Sequence, residues 1–233
     1  MSQEERSDAL MELLDELQES GIEFVLVGGY AISQFETRFS TDLDLVVAPR
    51  DYDEVVEFLT ERDFERTADL EVPPEETIYD REIQLFERTA GLSHPVGVDI
   101  LLNGLGCRQT GAEWSFSYLR KHSTEAEVSG GSRSTTARVA NGEILVAAKL
   151  HSARKADLAD VLAAVPDVDL EEVETHVRRG DQDSLRDQLE SAIDFIEDGG
   201  LDHRFKSMFG RASASADDLD ALLEFLERQR NRL

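Results

Sequence analysis

The sequence is poor in lysine, cysteine and proline, and it has no long apolar run. Its 233 residues include four lysines, one cysteine and five prolines. The single cysteine, Cys107, excludes an intramolecular disulfide. No segment approaches the roughly 18–20 apolar residues that a membrane-spanning helix needs. The first eight residues are polar and acidic, unlike a signal peptide. We therefore expect a cytoplasmic protein with no membrane partner.

Acidic residues dominate the charge. There are 50 Asp and Glu against 24 Lys and Arg, which gives a formal net charge of −26. This charge disfavours a broad nucleic-acid-binding surface, because phosphate binding needs a basic face. Hydrophobic residues make up 40%, enough for a packed core. The many acidic residues and few lysines resemble proteins of salt-in halophilic archaea; the alternative is an ordinary acidic mesophilic protein.

The hydrophobic periodicity predicts two units. Up to about residue 140, helical and strand patterns alternate, whereas later apolar residues have helical spacing only. We therefore predict an α/β (α+β) domain over residues 1–140, with a sheet and flanking helices, and a helical C-terminal domain over 141–233. The predicted strands are 22–27, 42–47, 78–88 and 96–102, and glycine-rich loops are expected at 104–111 and 130–136.

The first predicted strand ends in Gly28-Gly29 and turns into a short helix. Such a turn leaves backbone N–H groups unpaired and lets a ligand approach closely, as in a phosphate-binding loop. Two other glycine pairs, Gly130-Gly131 and Gly199-Gly200, show that the pair alone is weak evidence. Neither of them follows so clean an apolar run.

Two carboxylates share one face of the next predicted strand. Asp42 and Asp44 are two residues apart, so both side chains point one way while Leu43 and Leu45 point toward a core. Oxygen ligands of this kind suit Mg²⁺ or Mn²⁺. With this composition, about ten acidic-x-acidic triplets are expected by chance. The significance of this one therefore rests on its apolar frame and on Gly28-Gly29 before it.

Asp99 lies in the middle of the apolar stretch 96–102, where an unpaired charge would be expensive. It either faces solvent or joins Asp42 and Asp44 in a metal-binding triad. Three carboxylates around two divalent ions is an arrangement used for in-line phosphoryl or nucleotidyl transfer.

Together these residues resemble the nucleotidyltransferase superfamily built on the polymerase-β-like fold. Its signature is an apolar strand ending in Gly-Gly or Gly-Ser, a short helix, Asp-x-Asp on the next strand and a third acidic residue on a later one. The stretch 38–44 looks most like AbiEii-type, toxin-like nucleotidyltransferases, and 143–160 is similar to their helical segment of Lys-Leu, Arg, Lys and Asp-x-x-Asp. The resemblance covers about residues 22–165 and implies a nucleotidyltransferase-type mixed sheet followed by helices.

The resemblance also implies roles for the site residues. Asp42 and Asp44 would bind the metal ions, Mg²⁺ or Mn²⁺. Asp99 would hold the second ion and help to deprotonate the attacking hydroxyl. The β- and γ-phosphates of an NTP such as ATP would be held by backbone and side-chain groups around the glycine pair, and Arg38 either steadies a phosphate or pairs with an acidic neighbour such as Glu36. The nucleotide-binding candidates are Gly28, Gly29, Arg38, Ser40, Thr41 and Lys149.

Lys149 and Lys155 are two of only four lysines, and both fall in the segment 143–160. Retaining a lysine in an arginine-rich chain suggests a need for a compact ammonium group. The alternative for each is a solvent-exposed helical lysine. Asp157 and Asp160 are three residues apart on a predicted helix, where they are either partners of Lys149 or Arg154 or a solvated pair.

The leading hypothesis is a two-metal nucleotidyltransferase that moves an NMP from an NTP to an acceptor hydroxyl or phosphate. The resemblance allows tRNA, a protein or a small molecule as the acceptor. A second hypothesis is a catalytically silent, nucleotide-binding module that acts as an antitoxin-like or regulatory partner. The third is a helical interaction protein with chance acidic triplets. The leucine stripe over 219–226 either seals the last helix or forms a face for a partner protein or homodimer.

Overall fold

The computed structural model describes residues 3–71, 73, 77–89, 94–210 and 213–233. The chain divides into two compact units. The first comprises residues 1–105 and 114–140, and the second comprises 106–113 and 141–233. Among the described helices, none combines the length and the apolar character needed to cross a membrane.

The first unit contains a seven-stranded mixed sheet with helices. Its strand order is β3-β4-β5-β2-β1-β9-β8, and a separate two-stranded ribbon is formed by β6 and β7. The helices are α1 (Gln3–Glu19), α2 (Gly28–Ala31), α3 (Tyr52–Thr60) and α4 (Phe116–Lys121). The strands are β1 (Phe24–Val27), β2 (Asp42–Val47), β3 (Glu65–Glu71), β4 (Glu82–Arg88), β5 (Val96–Leu102), β6 (Gly104–Cys107), β7 (Ala112–Ser115), β8 (Ser123–Gly130) and β9 (Arg133–Ala140).

The second unit is helical, apart from its part of the ribbon. Its helices are α5 (Gly142–Ser152), α6 (Lys155–Ala164), α7 (Leu170–Val177), α8 (Gln182–Glu197), α9 (Gly200–Phe209) and α10 (Ala216–Arg230). Leu222 and Leu226 of the leucine stripe are buried within this unit, where α10 packs against α8. The stripe therefore contributes to the core of its own unit.

The centre of the sheet is built from β1, β2 and β5. β1 pairs antiparallel with β2, and β2 pairs parallel with β5. Leu43 and Leu45 of β2 and Val98 and Ile100 of β5 are fully buried on one face. Because side chains alternate along a strand, the residues between them lie on the opposite face. The mixed sheet, the flanking helices and the C-terminal helices confirm the predicted fold class.

The structure confirms the predicted bounds of β2 and β5 but shifts others. The strand predicted from Ile78 begins at Glu82 instead, and the Ile78 side chain is 76% exposed. Asp80 has a positive φ of 48°, which interrupts an extended backbone just before the strand. β4 pairs with β5 from Glu82 onward, opposite Leu102, the last residue of β5.

The two glycine-rich segments predicted as loops contain strands. Gly104 and Gly106 lie in β6, and Gly111 precedes β7. Gly130 ends β8 and Gly131, with a φ of 61°, forms the turn to β9. The strands β3 and β8, neither of which the sequence analysis predicts, are the two edges of the sheet, and both are rich in polar residues. Edge strands need only one apolar face at most, so their hydrophobic pattern is weak.

A buried histidine ties the segment 106–113 to the helices. His151 Nε2 lies 2.7 Å from the Val177 carbonyl oxygen, and Nδ1 lies 2.8 Å from Thr110 Oγ1. A carbonyl can only accept, so Nε2 carries the proton and Nδ1 accepts from the Thr110 hydroxyl. The ring is therefore neutral, and burial lowers the pKa of His151 to about 4.

We predict that His151 makes the protein less stable as pH falls from about 6.5 to 4. In that range the unfolded chain binds a proton at this residue and the folded chain does not, which favours unfolding. The loss is at most about 3.5 kcal/mol, at about 1.4 kcal/mol per pKa unit. Urea unfolding between pH 4 and 7 should therefore show a flatter pH dependence for H151Q than for the wild-type chain. The exposed His203 provides the control H203Q, and equal slopes for wild type and H151Q would contradict the assignment.

Candidate active site

Three carboxylates lie on one face at the centre of the sheet. In the parallel ladder, Asp44 of β2 is in register with Asp99 of β5, and Asp42 is in register with Gly97. Neighbouring strands are about 4.8 Å apart, so register partners have side chains side by side. All three aspartates are half-buried, whereas the leucines between them are fully buried. The structure therefore brings together the residues that the sequence predicts as the triad.

Gly28 is required by the position of Asp44. A methyl group on Gly28 would lie 1.8 Å from Asp44 Oδ2, 2.4 Å from Cγ and 2.9 Å from Cβ. Gly28 also has a φ of 69°, a conformation that disfavours any residue with a side chain. The first glycine of the pair thus leaves room for the Asp44 carboxylate at the end of β1.

Gly29 makes a similar close approach to the segment before β2. A methyl group there would lie 2.6 Å from Ser40 Oγ and 2.7 Å from Arg38 Nη2. The Ser40 hydroxyl donates to Asp42 Oδ1 at 3.0 Å. The glycine pair, Arg38 and Ser40 therefore lie beside the carboxylates, and the exposed Thr41 directly precedes β2.

The acidity of Asp99 is strongly shifted. Burial, followed by the negative charges of Asp42 and Glu87, raises the pKa of Asp99 to about 7. Glu87 of β4 lies opposite Gly97, so it shares this face. The sequence analysis missed Glu87, because only the β4–β5 register shows that it points to the aspartates.

The chemistry of the carboxylate face suits a divalent cation that brings further ligands with it. Within the ranges that the structure describes, no three His, Cys, Asp or Glu side chains converge closely enough to hold an ion alone. Mg²⁺, however, is usually bound by one or two carboxylates together with waters and substrate phosphates, rather than by an all-protein cage. Asp42, Asp44 and Asp99 supply carboxylate oxygens, which are ligands that Mg²⁺ prefers. Their neighbouring negative charges favour a bound cation. They fit an ion that arrives with a phosphate-bearing substrate.

Lys149 belongs to the helical unit, where two carboxylates hold its ammonium group. Lys149 Nζ lies 2.6 Å from Asp160 Oδ2 and 3.1 Å from Asp157 Oδ1. Both aspartates are almost completely buried, and Arg154 Nε also pairs with Asp157 at 2.5 Å. Asp157 and Asp160 are therefore partners of Lys149 rather than a solvated pair. Lys155 is exposed, with Nζ 5.2 Å from the centre of the Phe195 ring.

Several solved structures are similar to this one. JHP933 from Helicobacter pylori has 13% identity and a TM-score of 0.53, with coverage of 100% of this chain and 94% of that one. A candidate nucleotidyltransferase from H. pylori has 13% identity and a TM-score of 0.52, with coverage of 100% and 97%. ANT(2'')-Ia in complex with adenylyl-2''-tobramycin has 15% identity and a TM-score of 0.52, with coverage of 78% and 97%.

No protein-family model and no curated protein matches the chain. At these low identities the structural likeness shows the fold. The seven-stranded mixed sheet with flanking helices, followed by C-terminal helices, is a nucleotidyltransferase-type fold.

We predict that Gly28→Ala destabilises the protein more than Gly21→Ala. Both glycines have positive φ, 69° and 79°, so each substitution carries a backbone cost of about 1 kcal/mol. Only at Gly28 does the new methyl group overlap a side chain, and rotating the carboxylate cannot relieve the 2.9 Å approach to Asp44 Cβ. A further ~1–3 kcal/mol should be lost there. The free energy of unfolding in urea measures both variants, and equal losses would contradict the close approach.

We also predict that Lys149→Met strongly destabilises the helical unit. It would leave two buried carboxylates without their ammonium partner, which typically costs about 3–5 kcal/mol. Lys155→Met is the matched control, because Lys155 is exposed and should cost less than about 1 kcal/mol. Thermal unfolding followed by circular dichroism distinguishes the two. Similar stability of K149M and the wild-type chain would show that the ammonium group does not stabilise the unit.

Proposed function

We propose that the protein is a metal-dependent nucleotidyltransferase that moves an NMP from an NTP to an acceptor hydroxyl or phosphate. Two observations of one arrangement carry the proposal: the register of β2 and β5 places Asp44 beside Asp99, and Gly28 at the end of β1 lies against Asp44. The nucleotidyltransferase-type fold supports it.

Each residue of the face has a role in this proposal. Asp42, Asp44 and Asp99 would hold divalent cations, Mg²⁺ or Mn²⁺. When bound, such ions neutralise phosphate charge and orient the attacking and leaving oxygens. Asp99 would also accept the proton of the acceptor hydroxyl. It lies within the sheet beside Asp44, so its carboxylate is held by the strand rather than by a loop.

The segment around the glycine pair would bind the nucleotide. The absence of side chains at Gly28 and Gly29 lets Asp44, Ser40 and Arg38 lie against the backbone, which gathers these groups where a phosphate would bind. Arg38 would contribute a guanidinium group for phosphate oxygens, which it can bind in a bidentate manner. Ser40 and Thr41 lie at the entrance of β2, beside the carboxylates. Lys149 of the helical unit would contact a phosphate in addition to its pairing with Asp157 and Asp160.

The acceptor class is open to direct test. ANT(2'')-Ia was crystallised with an adenylyl-tobramycin, so a small hydroxylated molecule is one class to examine; tRNA and proteins are the others. Incubation with each α-labelled NTP, Mg²⁺ and a cell extract, followed by separate nuclease, protease and ultrafiltration steps, would identify the class that gains label. The assay should be run at low and at molar KCl, because the charge of −26 suggests adaptation to high salt.

We predict that the double substitution D42N/D44N lowers metal-dependent pyrophosphate release at least about a hundredfold, because it removes two proposed ion ligands. E125Q/E127Q is the matched control. These glutamates have the same spacing on strand β8 but are exposed at the edge of the sheet. Unchanged turnover in D42N/D44N would overturn the proposal. Nucleotide binding by calorimetry without any pyrophosphate release from the wild-type chain would instead identify a silent nucleotide-binding module.

A further inference from the structure

Tyr30 is a large buried residue beside the glycine pair, and its side chain ends in a polar hydroxyl group. It follows the glycine pair in α2, and its side chain is fully buried. Its ring is confined: a methyl group on Gly130 would lie 2.9 Å from Tyr30 Cε1 and 3.2 Å from Met11 Cγ. Tyr30 therefore does not reach a substrate, and its hydroxyl must act through protein groups.

The Tyr30 hydroxyl joins two segments of the chain. It lies 3.0 Å from the Ser40 carbonyl oxygen and 3.0 Å from Ser7 Oγ on α1. The phenol has one proton and a carbonyl can only accept, so Tyr30 donates to Ser40 and accepts from the Ser7 hydroxyl. Burial raises the pKa of Tyr30 above its ordinary value of 10, so the phenol is protonated at neutral pH and can donate.

Ser40 passes this constraint to the carboxylate face. Its carbonyl is held by Tyr30, while its own hydroxyl donates to Asp42 Oδ1 at 3.0 Å. With its backbone fixed, the Ser40 side chain has a defined direction from which to hold one oxygen of Asp42. Hydrogen bonds of this kind orient metal ligands and, when removed, typically cost 10–100-fold in metal affinity or activity.

Helix α1 supplies a second anchor next to Ser7. Arg6 Nη2 donates to the Pro95 carbonyl oxygen at 2.6 Å, immediately before β5. The Arg6 guanidinium carbon also lies 5.7 Å from the centre of the Phe39 ring, beside Ser40. One turn of α1 therefore holds the segment that enters β2 and the segment that enters β5.

We propose that Tyr30 is a positioning residue that sets the orientation of Asp42 through Ser40, and thereby the affinity of the carboxylate face for a divalent cation. The inference rests on the proposed function for its catalytic consequence, but metal binding tests it separately. The chain of contacts is Ser7 to Tyr30, Tyr30 to Ser40 and Ser40 to Asp42.

The test uses Mn²⁺ and the full chain in solution. Paramagnetic broadening of the amide signals of β2 and of Gly97 reports binding at this face, separately from Mn²⁺ elsewhere on an acidic protein. Tyr30→Phe keeps the confined ring and removes the hydroxyl, and Ser40→Ala keeps the carbonyl and removes the contact to Asp42. Both should raise the Mn²⁺ midpoint about tenfold or more. Because Tyr30 and Ser40 act through the same series of hydrogen bonds, the double variant should lose little further Mn²⁺ affinity.

Tyr52→Phe is the matched control. The Tyr52 hydroxyl donates to Gln84, a buried residue of β4. The next residue, Leu85, is in register with Asp99 and therefore lies on the face of the aspartates. Gln84 therefore points away from the aspartates. Y52F should lose stability without moving the Mn²⁺ midpoint. If Y30F behaves like Y52F, with a lower melting temperature and an unchanged midpoint, Tyr30 is only structural and the inference is overturned.

Two further outcomes separate this inference from the proposed function. A wild-type chain that binds Mn²⁺ at β2 and Gly97 but consumes no NTP contradicts the proposed function, while a raised midpoint in Y30F still supports the role of Tyr30. A wild-type chain whose β2 and Gly97 amides are not broadened by Mn²⁺ overturns the inference itself. Where the wild-type chain is active, a normal NTP KM with a lower kcat and a higher metal requirement is expected for Y30F.

Discussion

The parallel pairing of β2 with β5 is the constraint on which the rest of the site depends. In-register pairing puts Asp44 beside Asp99 on one face and Leu45 beside Ile100 on the other. A slip of one residue would reverse the faces of one strand, burying carboxylates and exposing leucines. The hydrophobic burial that stabilises the sheet therefore also fixes the position of the carboxylates.

The space around that ladder is as specific as the ladder itself. Gly28 leaves room for the Asp44 carboxylate. Gly97, near the start of β5, likewise leaves room for Asp42, because a methyl group on Gly97 would lie 3.2 Å from Asp42 Cβ. The glycines and the aspartates thus depend on each other, because the aspartate side chains lie directly against the glycine backbone. This explains why the motif needs glycines and carboxylates together, although either alone is common in this sequence.

Much of this arrangement could be predicted from the sequence. The rest could not, because a local pattern of residues does not show exposed edge strands or contacts between distant segments. Alternation of apolar and acidic residues predicts β2 and the face of Asp42 and Asp44. The edge strands β3 and β8 lack such alternation, because much of their surface is exposed to solvent and does not need apolar residues. Glu87 and Tyr30 join the site only through pairing and contacts between distant segments, which periodicity does not encode.

Asp157 and Asp99 show how the surroundings of a carboxylate distinguish a stabilising residue from a candidate functional one. Burial alone would raise the pKa of Asp157, but Lys149, Arg154 and Ser152 outweigh it and lower the pKa below its ordinary value. At Asp99, burial and the neighbouring charges of Asp42 and Glu87 act in the same direction and raise the pKa to about 7. Asp157 belongs to a charge-compensated cluster that stabilises a helical corner. Around Asp99 the sheet instead gathers negative charge, and carboxylates whose pKa is raised in this way are typical of functional sites.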